Sequence, residues 1–399
     1  VRDPFFDCFL REPRAVDEAE RSDSTYRAFY DTCRRFAAKE IAPHAAIWDE
    51  AASFPTALYA KAARAGVLGP HLPRDYGGGG GDALHAVIQI EALFEGGNTG
   101  VVAGLSSLAI ALPPIFALGT DRQKRRFAEP VLAGDKIAAL AITEPGTGSD
   151  VAAIQTTATR RGSDYVLKGE KCFITSGVNA TTVVVLARTS SDPYRGLTFF
   201  VVDRDESELA AQPLKKMGWR SSDTAVLTFD NCRVPGDNRL GDEGSGFATA
   251  MVNFQMERLI LACFGHATAQ LVLGEAERYA AERMTFGKPL TEHQVIRHKL
   301  ARMAMLTRAA KSLNYLVADS MRRGREVTEE VSEAKNFASE VAQEVCNDAV
   351  QVFGGLGVMQ GSVVERMYRD VRVLPIGGGT TEIMNEVIAK TRLSKGRGR

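Results

Sequence analysis

The feature that most constrains this chain is a change of hydrophobic period part-way along it. From Ser24 to about Leu72, apolar side chains recur every three or four residues, as in Tyr26, Phe29, Tyr30, Cys33 and Phe36. That is the spacing of amphipathic helices. Pro73 and the run Gly77–Gly81 interrupt it, and helical spacing resumes over residues 82–111 and 121–133. Near Ile137 the texture changes. Short runs rich in Val, Thr and Phe stand at 156–159, 165–167, 182–187, 198–202 and 225–229, separated by turns such as Arg161-Gly-Ser-Asp164. Pro235-Gly-Asp-Asn238 closes this unit, and from Gly246 helical spacing returns. Phe247, Met251, Phe254, Leu261 and Phe264 form one apolar stripe. Further helices are expected at about 291–322, 328–353, 360–370 and 380–393. The order predicts an α+β fold: an N-terminal α-helical domain over 1–136 with a polar arm at 1–20, a middle antiparallel β domain over 137–241, and a C-terminal helical bundle over 242–399. No strand–helix alternation and no G-x-G-x-x-G is present, which argues against a doubly wound dinucleotide fold.

Charge narrows the partners. Lys+Arg and Asp+Glu each number 49, so no net charge steers the chain to nucleic acid or an anionic membrane. The basic tail Lys395–Arg399 reads as a frayed, solvated end. No apolar stretch is expected to span a bilayer, and the N-terminus lacks the basic-then-apolar pattern of a secretory signal. Cys8, Cys33, Cys172, Cys232, Cys263 and Cys346 are scattered without a C-x-x-C pair, as in a cytoplasmic protein with reduced thiols. His293 and His298 fall on different faces of a helix, and no metal site is expected. The five-glycine run lacks the Lys-Ser/Thr of a P-loop and reads as a turn.

Four segments carry candidate chemistry. Ile142-Thr-Glu-Pro-Gly-Thr-Gly-Ser-Asp150 is rich in hydroxyls and exposed backbone N–H groups that could bond a polar ring. Gly169-Glu-Lys-Cys-Phe-Ile-Thr-Ser-Gly177 presents Phe173 and Thr175 on one face of a strand. Gln351-Val-Phe-Gly-Gly355 ends a helix at paired glycines. Ile376-Gly-Gly-Gly-Thr-Thr-Glu-Ile383 leads three glycines into Thr380, a candidate helix N-cap. Each alone also fits an ordinary structural role: a capped turn, a strand end, a helix stop and a helix start.

Together, in order from about Tyr26 to Arg392, these segments resemble the acyl-CoA dehydrogenase family. So do Gly218-Trp-Arg-Ser-Ser-Asp-Thr-Ala225, Arg233-Val-Pro235, Gln255-Met-Glu-Arg258, Arg283-Met-Thr-Phe-Gly287 and Glu365-Arg-Met-Tyr-Arg-Asp370. The resemblance implies an FAD-dependent oxidoreductase of lipid and fatty acid metabolism that converts an acyl-CoA to the trans-2-enoyl-CoA, with flavin N5 accepting the β-hydride. Electron-transfer flavoprotein is the implied acceptor, and a homotetramer the implied assembly. It places Ile142, Thr143 and Ser149 along the flavin and thioester, and Phe173 and Thr175 beside the isoalloxazine ring. Arg283, Phe286, Gln294, Gln351, Gly354 and Gly355 match positions that bind the cofactor, with Arg283, Gln351 and the paired glycines reaching the FAD of a neighbouring subunit. Thr380 and Glu382 match cofactor positions within the first subunit.

The base is the point of departure. Many family members carry it just before the Gly-Thr of the fourth segment, where this chain has Gly378. Taken alone, that absence suggests an inactive relative. Members resembling isovaleryl- and long-chain acyl-CoA dehydrogenases take a glutamate from the long helix after the β domain, and the match here is Glu257. Arg258 then falls near the CoA moiety and the Gly378 N–H at the thioester carbonyl, with Gly377 and Gly379 lining the substrate. An oxygen-using oxidase, a dehydrogenase of carrier-protein thioesters and a non-catalytic acyl-thioester-binding flavoprotein are the alternatives.

Overall fold

The computed structural model describes residues 16–397. Helix α1 spans Val16–Phe36, so the last residues of the expected polar arm are helical; the rest of the arm, with Cys8, lies outside the described residues. Shorter helical turns lead to α2, Ala83–Phe94, and α3, Thr99–Ser106. Each starts on a side-chain cap: Asp82 accepts from the Leu84 and His85 N–H groups, and Asn98 from that of Val101. The five-glycine run folds back on the segment before it, with Gly79, Gly80 and Gly81 N–H donating to the Gly69, Leu72 and Pro70 carbonyls. Its donors are therefore consumed internally.

The middle of the chain forms one eight-stranded sheet. Its strands are β1 Ala138–Ala141, β2 Thr157–Arg161, β3 Asp164–Thr175, β4 Thr182–Arg188, β5 Leu197–Asp203, β6 Ala210–Pro213, β7 Thr224–Val234 and β8 Arg239–Leu240. The spatial order is β6-β7-β3-β2-β4-β5-β8, with β1 also beside β4. Most pairs are antiparallel as expected, but β1 and β2 meet β4 in parallel. Those pairings join strands whose connections loop away and return, so local alternation does not announce them. β4 and β5 are buried along nearly their whole length, which explains their unbroken Val and Phe runs.

The C-terminal helices are α4 Gly246–Glu282, α5 Gln294–Arg322, α6 Thr328–Phe353, α7 Val363–Asp370 and α8 Thr381–Arg397. α4, α5 and α6 pack on one another, α8 packs on α6, and α2 lies against α4 and α5. A buried polar cluster fixes the last contact. Lys311 of α5 donates to Glu91 of α2, the Tyr315 hydroxyl donates to Glu91 at 2.6 Å, and Asn314 donates to the Ala262 carbonyl at 2.8 Å. Burial opposes the Glu91 carboxylate, but Lys311 and His266 outweigh it and hold its pKa well below the usual range.

Two expectations need correction here. The tail does not fray at Lys395, because α8 continues to Arg397. Two helical stretches, Thr99–Leu118 and Gly246–Glu282, are long and apolar enough to cross a bilayer, yet 72% of each apolar window is buried inside the protein. Their apolarity serves the core.

Candidate active site

Glu257 lies about a third of the way along α4, directly before the buried run Arg258–Ala269. Facing it is the turn Gly377–Gly379, which follows α7 and precedes α8. Gly378 and Gly379 adopt φ of +63° and +99°, a region that L side chains rarely enter. A Cβ on Gly378 would collide with Leu261 Cδ1 and would lie 3.5 Å from Glu257 Oε1. The carboxyl of Glu257 thus rests against the backbone of residue 378. Gly377 differs: a Cβ there would meet only the Val373 carbonyl oxygen at 3.6 Å and Val373 Cγ1 at 3.8 Å, which is ordinary contact. Its backbone does not demand glycine.

Glu257 keeps a partial opening to solvent while protein encloses it on its other sides. Burial pushes its pKa up to about 7, against the pull of the Arg258 and Lys335 cations. Arg258 is buried, and its Nε has no hydrogen-bond partner. Lys335 arrives from α6, fully buried, and donates to the Gly379 carbonyl. Sequence reasoning missed it. The signal was present, because Lys335 sits within the buried stripe Val331, Ala334, Ala338, Val341, Ala342, where a charge is out of place.

The second cluster lies along the C-terminal half of β3. Cys172 N–H donates to the Thr143 carbonyl at 2.8 Å, and Lys171 Nζ to that of Ile142 at 2.7 Å. Lys171 also pairs with Glu144 at 2.9 Å, and Glu144 accepts the Gln155 and Thr156 N–H groups at 2.8 Å each. Burial lowers the Lys171 pKa to about 8 despite the attraction of Glu144. This clamp holds Ile142 and Thr143 against β3, with Ser149 exposed further along the loop. The β3–β7 register slips between Lys171 and Ile174, and Phe173 sits in that bulge at φ +62°. Ile174 is buried while Phe173 stays 67% exposed and Thr175 half-buried. The two expected side chains therefore share the outer face, on an irregular strand rather than a plain one.

The remaining candidates gather in two places. Thr380 caps α8, accepting from the Ile383 N–H at 3.3 Å, with Glu382 exposed in the first turn. Both adjoin the glycine turn. Arg283, Phe286, Gln294, Gln351, Gly354 and Gly355 instead lie at the far end of the bundle, all exposed. Tyr279 and Phe353 stack there at 4.3 Å, joining the ends of α4 and α6. Phe286 is 98% exposed. From Glu257 to Arg283 the helix rises about 39 Å, at roughly 1.5 Å per residue. The candidate residues of one chain therefore fall into two separated groups.

Three family models match the chain in succession: the acyl-CoA dehydrogenase N-terminal domain over residues 23–135, the middle domain over 139–232 and the C-terminal domain over 244–393. The chain belongs to the acyl-CoA dehydrogenase family. A probable acyl-CoA dehydrogenase, YngJ of Bacillus subtilis, is 37% identical over 362 residues, covering 90% of this chain and 95% of that protein. The crystal structure of a probable acyl-CoA dehydrogenase from Mycobacterium abscessus superposes with a TM-score of 0.90 at 47% identity, covering 92% of this chain and 98% of that one. A glutaryl-CoA dehydrogenase from Mycobacterium smegmatis in complex with FADH2 gives a TM-score of 0.87 at 26% identity, covering 92% and 94%.

As an acyl-CoA dehydrogenase, this protein is an FAD-dependent oxidoreductase acting on CH–CH groups. The residues fit the cofactor. Phe173 offers an exposed flat ring beside the Thr175 hydroxyl. At the far end, Cβ atoms on Gly354 and Gly355 would meet open space, so a ligand can approach the backbone there.

Proposed function

We propose that this protein removes the α-proton of an acyl-CoA with Glu257 and forms the trans-2-enoyl-CoA. One observation carries the assignment: the Glu257 carboxyl reaches, from α4, the space beside residue 378, the position at which the family resemblance implies a base in many members. Its pKa near 7 leaves it half ionised at neutral pH, which suits a general base. In the ionised form it takes the α-proton and becomes a neutral acid, the form its buried setting favours. The Gly378 N–H, in a turn fixed from α6 and α8, is the donor for the thioester oxygen as enolate charge develops. Arg258 holds the CoA side of the substrate. Phe173, Thr143 and Thr175 orient the flavin ring, and Ser149 lines the thioester region. Bound FAD supplies the acceptor for the β-hydride.

The separation of these groups supports an obligate oligomer, a tetramer in our reading, in which Arg283, Phe286, Gln294, Gln351, Gly354 and Gly355 of one copy meet the cofactor of another. Exposed Phe286 and its neighbours Met284, Val295 and Met359 support a partner surface at that end. Electron-transfer flavoprotein is the proposed acceptor. Gly377, whose Cβ would meet only Val373, leaves part of the pocket wall as bare backbone, which suits a branched or bulky acyl group. Anaerobic mixing of the FAD-loaded protein with straight and branched acyl-CoAs tests this reading. Bleaching of the flavin by an acyl-CoA supports it, and branched acyl-CoAs should bleach fastest. Rapid return of colour in air would make the protein an oxidase. No bleaching by any acyl-CoA would defeat the proposal.

A further inference from the structure

Lys335 is a buried cation whose place the family reading does not account for. It projects from α6 into the space between α4 and the glycine turn. There its ammonium donates to the carbonyl of Gly379, one residue beyond the turn's contact with Glu257. The next residue on α6 grips the other side of the same segment: Asn336 Nδ2 donates to the Thr381 carbonyl at 3.1 Å and to Asn385 Oδ1 at 2.9 Å. Two consecutive side chains of one helix therefore pin the glycine turn and the first turn of α8. The turn needs pinning. Its two left-handed glycines are free to move in the unfolded chain, and Gly378 must hold its N–H in one direction.

We infer that Lys335 is a positioning residue for the dehydrogenation: it fixes the glycine turn against Glu257, and its positive charge favours the proton-accepting form of that carboxylate. The proposal rests on the reading of Glu257 as the base. The charged groups at this junction are Glu257 and Arg258 on α4, Lys335 on α6 and Glu382 on α8. Burial pulls the Lys335 pKa down to about 8, and Arg258 adds to this, while Glu257 and Glu382 oppose it. Lys335 is thus still largely charged at neutral pH, where it counters the burial that lifts Glu257.

The charge and the hydrogen bond can be separated. Lys335→Met removes both; Lys335→Gln keeps a donor for the Gly379 carbonyl and removes the charge. The readout is the pH profile of flavin reduction by an acyl-CoA, measured on FAD-loaded protein beside wild type and Glu257→Gln. Both Lys335 variants should keep FAD and raise the apparent pKa of the base by about one unit. That shift alone slows bleaching about fivefold at neutral pH and allows recovery at alkaline pH. Lys335→Met should lose more of the plateau rate than Lys335→Gln, because it also frees the turn. If one variant does not fold, the other still reports the shift. A purely structural lysine would lower the melting temperature and leave the profile in place, and that result overturns the inference. Failure of the underlying reading looks different: Glu257→Gln would then bleach at the wild-type rate, whatever the Lys335 variants do.

Discussion

Replacing Glu257 by Gln should make the protein more stable at neutral and alkaline pH while removing its activity. The carboxyl has an ordinary pKa of 4.5, and burial lifts it to about 7 in the folded state. Between these values the folded protein holds a proton that the unfolded chain releases. Stability therefore falls as pH rises through this window. Below the lower value both states carry the proton and the penalty is absent; above the upper value it is complete. At about 1.4 kcal/mol per pKa unit, the full shift corresponds to roughly 3 kcal/mol. The partial opening to solvent reduces this to about 2 kcal/mol. Gln is neutral at every pH and close in shape to the protonated acid, so it removes the penalty. Urea unfolding of both proteins at matched FAD content, across about pH 4 to pH 9, reads the difference. The curves should coincide at the acid end and separate as pH rises, with the variant more stable. Parallel curves, or a variant less stable at the alkaline end, would mean that Glu257 is well paired as an ion, and the desolvation argument would fail.

Removing FAD should lower the melting temperature and shift the protein toward smaller species, because a ligand shared between copies stabilises only the assembly; calorimetry and light scattering would show it, and an unchanged apo-oligomer would count against a shared site. Gly377→Ala should be tolerated, since its Cβ meets only Val373 at 3.6 Å or more. Gly377→Tyr should penalise branched acyl-CoAs over straight ones by ~1–3 kcal/mol in kcat/KM. Equal losses on both substrates would return Gly377 to a backbone role.

How much of this was legible depends on the range of the contacts. The helix–strand–helix order follows from local periodicity, and α6 runs over Thr328–Phe353, as its spacing indicates. Glu257 was found because its neighbours Gln255-Met-Glu-Arg258 form a contiguous string. Its contact with Gly378 joins residues far apart in the chain, and only the fold brings them together. The same limit hid the Lys171–Glu144 pair beneath the Ile142–Asp150 loop, the Glu91–Lys311 tie between the helical halves, and the parallel strand β1. The bulge at Phe173 was hidden for another reason. Alternation predicts which face a residue takes, but not a register slip set by the partner strand.

The central claim, that Glu257 removes the substrate proton, is tested most directly by one rate. FAD-loaded Glu257→Gln is mixed anaerobically with an acyl-CoA that bleaches the wild-type flavin, and the loss of absorbance is followed. Bleaching should slow by ~10²–10⁴-fold or more, with FAD content and fold unchanged. Bleaching at close to the wild-type rate would contradict the assignment and place the base elsewhere.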